Sequence, residues 1–134
     1  MSTRSTTHFQ RDGITEAIVY RHSDGYPDGH GTDLLNFFKL LKKTLPDNRF
    51  NDPSYLAAKV VVWLSEQFNI DYITDKPKAN RYDFLSVGVV MEDPGDIEYR
   101  YEVNCSEMKN DMPQVKCFSI SQNKYVHIPT KVKV

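Results

Sequence analysis

Cysteine is scarce in this sequence, and long apolar runs are missing from it. Cys105 and Cys117 are the only cysteines and form no CxxC pair, so we expect reduced thiols on neighbouring strands. No apolar run approaches the roughly 18 residues that span a bilayer. The start, MSTRSTTHFQ, has no apolar signal-peptide core. We therefore expect no membrane partner and a location in the cytosol of the cell that makes the protein.

An excess of charge of one sign is also missing. The formal net charge is -1 at pH 7, which offers no general attraction for a nucleic acid polymer. A hydrophobic share of 40% and a charged share of 26% are typical of a globular protein. The length of 134 residues predicts a single ligand-binding domain over residues 1–134.

Known catalytic motifs are lacking as well. The sequence has no GxSxG, HExxH or HxE…PCxxC pattern and no GK[ST] phosphate loop. Glu98 and Glu102 share a predicted strand face with Arg100 between them, which favours a cross-strand ion pair over acid–base catalysis. His8 and His127, on outer strands, are expected at the surface. We therefore expect a protein that is not an enzyme and needs no cofactor.

Hydrophobic periodicity predicts an α+β fold. We expect an antiparallel sheet of about six strands, with two helices inserted after strand 2 and packed on one face. Asp12-Gly13 predicts a two-residue hairpin, the apolar run 84–91 predicts a central strand, EDPGD predicts a turn, and 106–113 predicts a loop. The expected strands cover about 6–11, 14–22, 84–91, 97–104, 114–121 and 124–129, and the helices about 33–44 and 53–68.

Both predicted helices have start signals. Thr32 or Asp33 is the expected N-cap of the first helix, and Asp52 caps the second, with Pro53 at its first position. Apolar residues recur at helical spacing in both segments. In the second helix, Val62 and Phe68 are expected on the buried face with the following residues: Leu56, Ala57, Val60, Val61, Trp63 and Leu64.

The stretch YRHSDGYPDGHGTDLL, residues 20–35, is rich in His, Asp and Gly. Its side chains could hold a divalent metal, with the candidate ligands His22, Asp24, Asp28, His30 and Asp33. Gly and Asp are also the residues that tight turns use, and a turn before the helix is the interpretation we favour. A phosphate cradle is rejected, because three Asp would repel the anion.

Tyrosine and arginine offer a second kind of chemistry. A Tyr face can stack on a base, and an Arg fork can hold a phosphate. Structural alternatives remain open, since Tyr99 and Tyr101 fit a core and Arg49 could cap a helix or pair with a nearby Asp. The candidate ligand-binding residues are Arg21, His22, Tyr26, Arg49, Asn51, Arg81, Phe84, Arg100, Asn104 and Lys116.

Three stretches, IVYRHSDGYPDGHGTDLLNFF, DNRFNDPSYLAAKVVVW and FLSVGVVMEDPGDIEYRYEV, cover nearly half of the chain in this order. They resemble small phage and bacterial proteins that carry a YRHxDGYP signature. Through this group the chain resembles the anti-Thoeris sponge proteins, which phages use against the Thoeris immune system.

The resemblance implies a viral anti-defence protein in the host cytoplasm. Such proteins have an antiparallel sheet with two helices, and they form homodimers or higher homo-oligomers. They sequester a cyclic ADP-ribose signal without cleaving it, and some also hold cyclic di- or trinucleotides. The resemblance transfers no individual binding residue to this chain.

Two other functions stay open from the sequence. One is a metal-dependent phosphodiesterase built on the 22–33 loop, and the other is a phage protein that blocks a host protein through an exposed sheet edge. For the nucleotide binder, we expect Arg21→Ala to weaken binding with little loss of folding, because Arg21 stays charged at neutral pH. Asp28→Asn, at a turn position, should leave binding nearly unchanged.

Overall fold

The computed structural model describes residues 2–66 and 86–130. It confirms an α+β fold, with two helices between the second and third strands of a six-stranded sheet. In chain order, the elements are β1 (Ser5–Arg11), β2 (Ile14–Arg21), a π-helical turn (Pro27–Gly31), α1 (Thr32–Thr44), α2 (Pro53–Glu66), β3 (Val87–Val90), β4 (Tyr99–Lys109), β5 (Met112–Ser119) and β6 (Lys124–Val126).

The sheet has the order β3-β2-β1-β4-β5-β6 and is not purely antiparallel. β1 and β4 pair in parallel, and the other neighbours are antiparallel. The prediction of a central strand at 84–91 was wrong, because β3 lies at an edge of the described sheet and Val89 is 73% exposed. A short apolar run suits a buried strand and a one-sided edge strand equally well, so composition could not separate them.

The parallel pair requires a crossover between β3 and β4. Both strands run in the same direction as β1, yet they lie on opposite sides of the β1–β2 pair. Residues 91–98 therefore cross the sheet, and the predicted turn EDPGD belongs to this crossing. Asp93 anchors it, since its Oδ1 accepts from the Thr6 hydroxyl at 2.6 Å and lies 2.7 Å from His8 Nε2. The prediction that His8 lies on an outer strand at the surface was wrong, because β1 lies between β2 and β4 and this contact partly buries the side chain. His127 is exposed as predicted.

The two helices pack on the opposite face of the sheet. Alternation along the strands directs Phe9, Val19 and Val103 toward them. The helical spacing predicted from the sequence is confirmed for the buried residues Leu34, Phe37, Phe38, Leu41, Leu56, Ala57, Val60 and Leu64. The prediction that Val62 widens the buried face was wrong, because its side chain is 58% exposed. Phe68 lies outside the described residues.

The structure confirms the predicted cap of the second helix but not that of the first. Asp52 Oδ1 accepts from the Tyr55 N–H at 3.5 Å and from the Ser54 hydroxyl at 3.2 Å, which confirms its capping role. Thr32 and Asp33 do not cap α1, because the helix continues directly from the π-helical turn. The Thr32 hydroxyl instead donates to the carbonyl of Pro129 at 2.8 Å.

Two hairpins are set by residues with positive φ. Asp12 (φ 52°) and Gly13 (φ 79°) turn β1 into β2 as predicted. The prediction of a loop at 106–113 was wrong, because β4 and β5 extend almost to the centre of this segment. Asn110 (φ 56°) and Asp111 (φ 62°) form a second tight turn there. Asn and Asp tolerate this backbone region better than other non-glycine residues.

The thiols of Cys105 and Cys117 are free and buried on the neighbouring strands β4 and β5, as predicted. Within the described ranges, no helix has the length and apolar character that crossing a membrane requires.

Candidate functional site

A groove of about 570 Å³ runs between α1 and the outer strands β5 and β6. This volume lies in the range of small-molecule sites, roughly 300–1,000 Å³. The tip of the β4–β5 hairpin forms one end and the segment after β6 forms the other. The lining residues are Leu35, Lys39, Lys109, Asn110, Met112, Pro113, Gln114, Val115, Lys116, Cys117, Tyr125, Val126, His127, Ile128 and Thr130.

The ionisable side chains that line this groove are mainly basic, and Glu102 lies just outside it on the helix-free face, opposite Lys116 in the β4–β5 register. Lys39, Lys109 and Lys116 line it together with His127, and no Asp or Glu belongs to the described lining. The chain as a whole is almost neutral, so this concentration of cations is local. Three ammonium groups in a concave surface raise the local concentration of anions, and each can donate to phosphate oxygens.

Each cation comes from a different element. Lys39 lies on the exposed side of α1, Lys109 ends β4, and Lys116 lies in β5. The hairpin tip is tied to α1, because the Lys42 ammonium donates to the carbonyl of Asn110 at 2.8 Å. This contact fixes the distance between the Lys109 end of the groove and the helix.

Apolar and aromatic groups complete the groove. The half-buried Leu35 and Val115 contact the small buried cluster that contains Ile128, and they form an apolar floor. Tyr125 is 52% exposed, and the Lys116 ammonium lies 5.7 Å from the centroid of its ring. The Tyr125 hydroxyl donates to Glu102 Oε1 at 2.9 Å and its ring packs against Phe118, and the exposed part of the ring offers stacking to an aromatic base.

An edge of the sheet also borders the groove. β6 pairs only with residues 117–119 of β5. In the described part of the chain, residues 112–116 of β5 have no strand on their outer side, and they line the groove. Unpaired backbone groups on a strand edge can donate and accept hydrogen bonds.

Cys117 lines the groove without offering a nucleophile. Burial raises the pKa of this thiol to about 11. The thiolate is the reactive form of cysteine, and this thiol stays protonated near neutral pH.

The glycine-rich loop after β2 is organised around buried polar contacts. Arg21 is 4% exposed, and its Nη1 donates to His30 Nδ1 at 3.1 Å. His30 Nε2 lies 2.8 Å from the Thr7 hydroxyl, and the Tyr101 hydroxyl donates to the carbonyl of Gly25 at 2.7 Å. These contacts support the interpretation of the loop as a turn that leads into α1.

The geometry of this loop does not favour the metal alternative. Among residues 2–66 and 86–130, no three or more His, Cys, Asp or Glu side chains are close enough to share an ion. Both ring nitrogens of His30 face protein groups. His22 Nδ1 lies 2.9 Å from the Tyr20 hydroxyl. A phosphodiesterase that uses this loop therefore has no supporting arrangement in the described residues.

The candidate residues from the sequence fall into separate regions. Lys116 lines the basic groove. Arg21 is buried, which does not fit a cation that can be removed with little loss of folding. His22 is half-buried, and Tyr26 is 39% exposed, with its hydroxyl donating to Asp24 at 3.4 Å.

Arg100 and Asn104 lie on the helix-free face of β4. Arg100 Nε lies 3.1 Å from Glu102 Oε2, and its guanidinium stacks over Phe118 at 4.7 Å. This ion pair joins residues of one strand, so the predicted cross-strand geometry was wrong. Asn104 Oδ1 accepts from the backbone N–H of Ser106 at 2.9 Å. Both candidates already have protein partners.

Arg49 and Asn51 lie in the connection between the helices. The Arg49 guanidinium stacks over Tyr55 at 4.3 Å and lies 3.8 Å from Asp52, as one of its structural alternatives predicted. The carbonyl of Asn51 accepts from Arg11 at 3.4 Å. Neither residue lines the basic groove. Arg81 and Phe84 lie outside the described residues.

Sequence reasoning missed Lys39, Lys109, Tyr125 and His127. No local spacing marks them, since they are contributed by α1, β4, β6 and the segment that follows β6. The weak signal available was the absence of acidic residues from 112–119 and 124–130.

No protein-family model matches the chain, and neither does any curated protein or solved structure.

Proposed function

We propose that the protein binds a cyclic signalling nucleotide in the basic groove and sequesters it without cleaving it. One observation carries this proposal: three lysines and His127 line a groove of about 570 Å³ whose described lining contains no carboxylate. An anion of the size of a cyclic dinucleotide or a cyclic ADP-ribose isomer suits this combination of volume and charge.

The groove offers a partner for each part of such a ligand. The exposed Tyr125 ring can stack on a base, and Lys116 beside it can contact the adjacent phosphate. Lys39 and Lys109, from the opposite wall and the hairpin tip, can hold a second phosphate. The apolar floor can take up the remaining surface of the base.

Two features of the groove support sequestration rather than cleavage. Its thiol is protonated near neutral pH. Its described residues include no carboxylate that could act as a general base. A binder of this kind removes the signal stoichiometrically, in line with the resemblance to phage sponge proteins. The proposal places it in the host cytoplasm as a homo-oligomer that acts against host defence.

Calorimetry with cyclic ADP-ribose isomers and cyclic dinucleotides tests this proposal. We expect micromolar or tighter binding of at least one class. Mass spectrometry of the ligand released on denaturation should then recover it intact. Absence of binding to both classes would contradict the proposal, and recovery of a cleaved product would assign the protein to the enzymes.

A further inference from the structure

A hydroxyl, an imidazole and a carboxylate form a hydrogen-bonded row on the helix-free face of β1 and β2. The Thr15 hydroxyl lies 3.4 Å from His8 Nδ1, and His8 Nε2 lies 2.7 Å from Asp93 Oδ1. The same Asp93 oxygen accepts from the Thr6 hydroxyl at 2.6 Å. None of these residues lines the basic groove, so the row is a second place in the fold with its own chemistry.

The tautomer of His8 follows from its partners. An ionised carboxylate can only accept, so His8 Nε2 carries a proton and donates it to Asp93. In the neutral ring, Nδ1 is then unprotonated and accepts from the Thr15 hydroxyl. This is the tautomer in which a histidine can take the proton of an attacking hydroxyl.

A β-bulge brings Thr15 to this row. The register pairs Phe9 with Ala17 and Gln10 with Thr15, so Glu16 is an extra residue on β2. Bulges re-aim side chains and are frequent next to active sites. Gln10 Nε2 donates to Thr15 Oγ1 at 3.3 Å. An amide N–H beside an attacking hydroxyl can donate to the oxygen anion that the attack creates.

Exposure along the row leaves the hydroxyl open and the base held in place. Thr15 is exposed, whereas the side chains of His8 and Asp93 are 14% and 27% exposed. Thr6, which holds Asp93, is fully buried. A nucleophile, a base within reach of it and a third group that orients the base are the diagnostic arrangement of covalent catalysis.

We propose that the protein hydrolyses small carboxylic esters through an acyl-Thr15 intermediate, with His8 as the general base. Thr15 Oγ1 bonds to the carbonyl carbon of the ester while its proton passes to His8 Nδ1. The bond from that carbon to the alcohol oxygen breaks, and His8 gives the proton to the departing alcohol. Water then gives a proton to His8 and attacks the acyl group, which leaves as the acid while Thr15 regains its proton. Asp93 is a positioning residue.

This activity is separate from the proposed sequestration of a nucleotide. It departs from the sequence-based expectation of a protein that is not an enzyme. The three members of the row come from β1, β2 and the crossing between β3 and β4, and 85 positions separate His8 from Asp93. No catalytic motif has such spacing, so the sequence alone did not indicate the row.

Incubation of the full chain with p-nitrophenyl acetate tests the proposal. The release of p-nitrophenolate should show an initial burst and then a slower steady rate, as expected when an acyl-enzyme accumulates. Peptide mass spectrometry should find the acetyl group on Thr15. Once the ester is removed, continued incubation should release this group as acetate.

Substitutions at the exposed Thr15 separate catalysis from folding. Thr15→Val removes the hydroxyl and keeps the shape of the side chain, so it should slow the burst by about a hundredfold or more and abolish the label. Thr15→Ser keeps a hydroxyl and should react within about tenfold of the native rate. Thr44→Val, at an exposed threonine that ends α1, should react like the native protein.

His8→Gln tests the base. Glutamine can still donate to Asp93 but cannot take the proton of Thr15, so the burst should slow by about a hundredfold or more. His8 and Asp93 also anchor the crossing, and circular dichroism therefore checks the fold of each variant.

Three results would overturn the proposal. They are an acetyl label confined to lysine or tyrosine side chains, a native burst in Thr15→Val, and a Thr15→Ser variant as slow as Thr15→Val. A native rate in a folded His8→Gln variant would remove the base from the mechanism and overturn it as well. Because the measurement uses no nucleotide, its failure is distinguishable from a failure of ligand binding.

Discussion

Arg21 Nη1 donates to His30 Nδ1 across 3.1 Å inside the protein, where Arg21 is 4% exposed and His30 is 1% exposed. An arginine can only donate, so Nδ1 must be the unprotonated nitrogen of the ring. The proton lies on Nε2, which donates to the Thr7 hydroxyl at 2.8 Å. Burial first, and the Arg21 charge second, lower the pKa of His30 to about 3.

Stability should therefore fall as the pH is lowered from about 6.5 toward 3. The unfolded chain binds a proton on this histidine below its ordinary pKa of 6.5, whereas the folded chain does not until about 3. Within that window, the free energy of unfolding should fall by about 1.4 kcal/mol for each unit by which the pH is lowered, because His30 stays neutral in the folded chain. Urea unfolding at several pH values measures this slope.

His30→Gln separates this contribution from that of other groups. A glutamine can accept from Arg21 and donate to Thr7 without titrating. The slope of the unfolding free energy against pH, between pH 6.5 and 3, should therefore be smaller in this variant by the equivalent of about one bound proton. Equal slopes for the native protein and His30→Gln would show that His30 does not stay neutral.

Arg21→Ala should lose stability. The substitution leaves the buried His30 Nδ1 without its donor and opens space beneath the loop. We expect a loss of about 2–4 kcal/mol, from an unsatisfied buried acceptor and a cavity. The midpoint of urea unfolding measures it. A midpoint unchanged from that of the native protein would restore the sequence-based interpretation of Arg21 as a removable ligand contact.

Gly31→Ala should also destabilise the fold, although alanine is the better helix former. An added Cβ would lie 2.9 Å from Ile128 Cγ2 and 3.1 Å from Tyr101 Cε2, so buried groups must shift. Overpacking of this kind costs about 1–3 kcal/mol. Gly95→Ala is the matched control, because an added Cβ there meets nothing within 4 Å. Thermal unfolding of the two variants should separate clearly, and equal melting temperatures would contradict the close packing at Gly31.

Local sequence signals predicted the local structure well. Asp12-Gly13 predicted the β1–β2 hairpin, and Asp52 and Pro53 predicted the start of α2. Helical spacing predicted most of the buried residues of both helices. These features depend on residues close together in the chain. Backbone conformation and amphipathic spacing act over a few residues, so a single sequence contains them.

Local errors occurred at the 106–113 hairpin, at the start of α1 and at Val62, but the largest errors arose where distant segments meet. The parallel β1–β4 pair depends on a crossover held by Asp93 against Thr6 and His8, which are more than 80 residues away. The basic groove likewise takes one cation from each of α1, β4 and β5. No spacing rule links such positions, because tertiary packing alone brings them together. Among the candidate residues that the structure describes, Lys116 alone lines the groove.

Nucleotide binding should weaken strongly with salt. In the proposed complex, three lysines at a partly open surface contact the ligand, and salt screens such charges over about 10 Å at 0.1 M ionic strength. Calorimetry from 50 mM to 500 mM sodium chloride should show a dissociation constant that rises by about tenfold or more. A constant affinity across this range would indicate that the lysines do not contact the ligand.

The most direct test of the central claim compares groove variants by calorimetry with the nucleotide that binds best. Lys39→Ala and Lys116→Ala should each weaken binding by about tenfold or more, which is the loss of one charge-assisted hydrogen bond. Lys43→Ala, an exposed lysine of the same helix outside the groove, should bind like the native protein. Native affinity in the double variant Lys39→Ala/Lys116→Ala, with its fold intact by circular dichroism, would contradict the assignment of the groove as the nucleotide site.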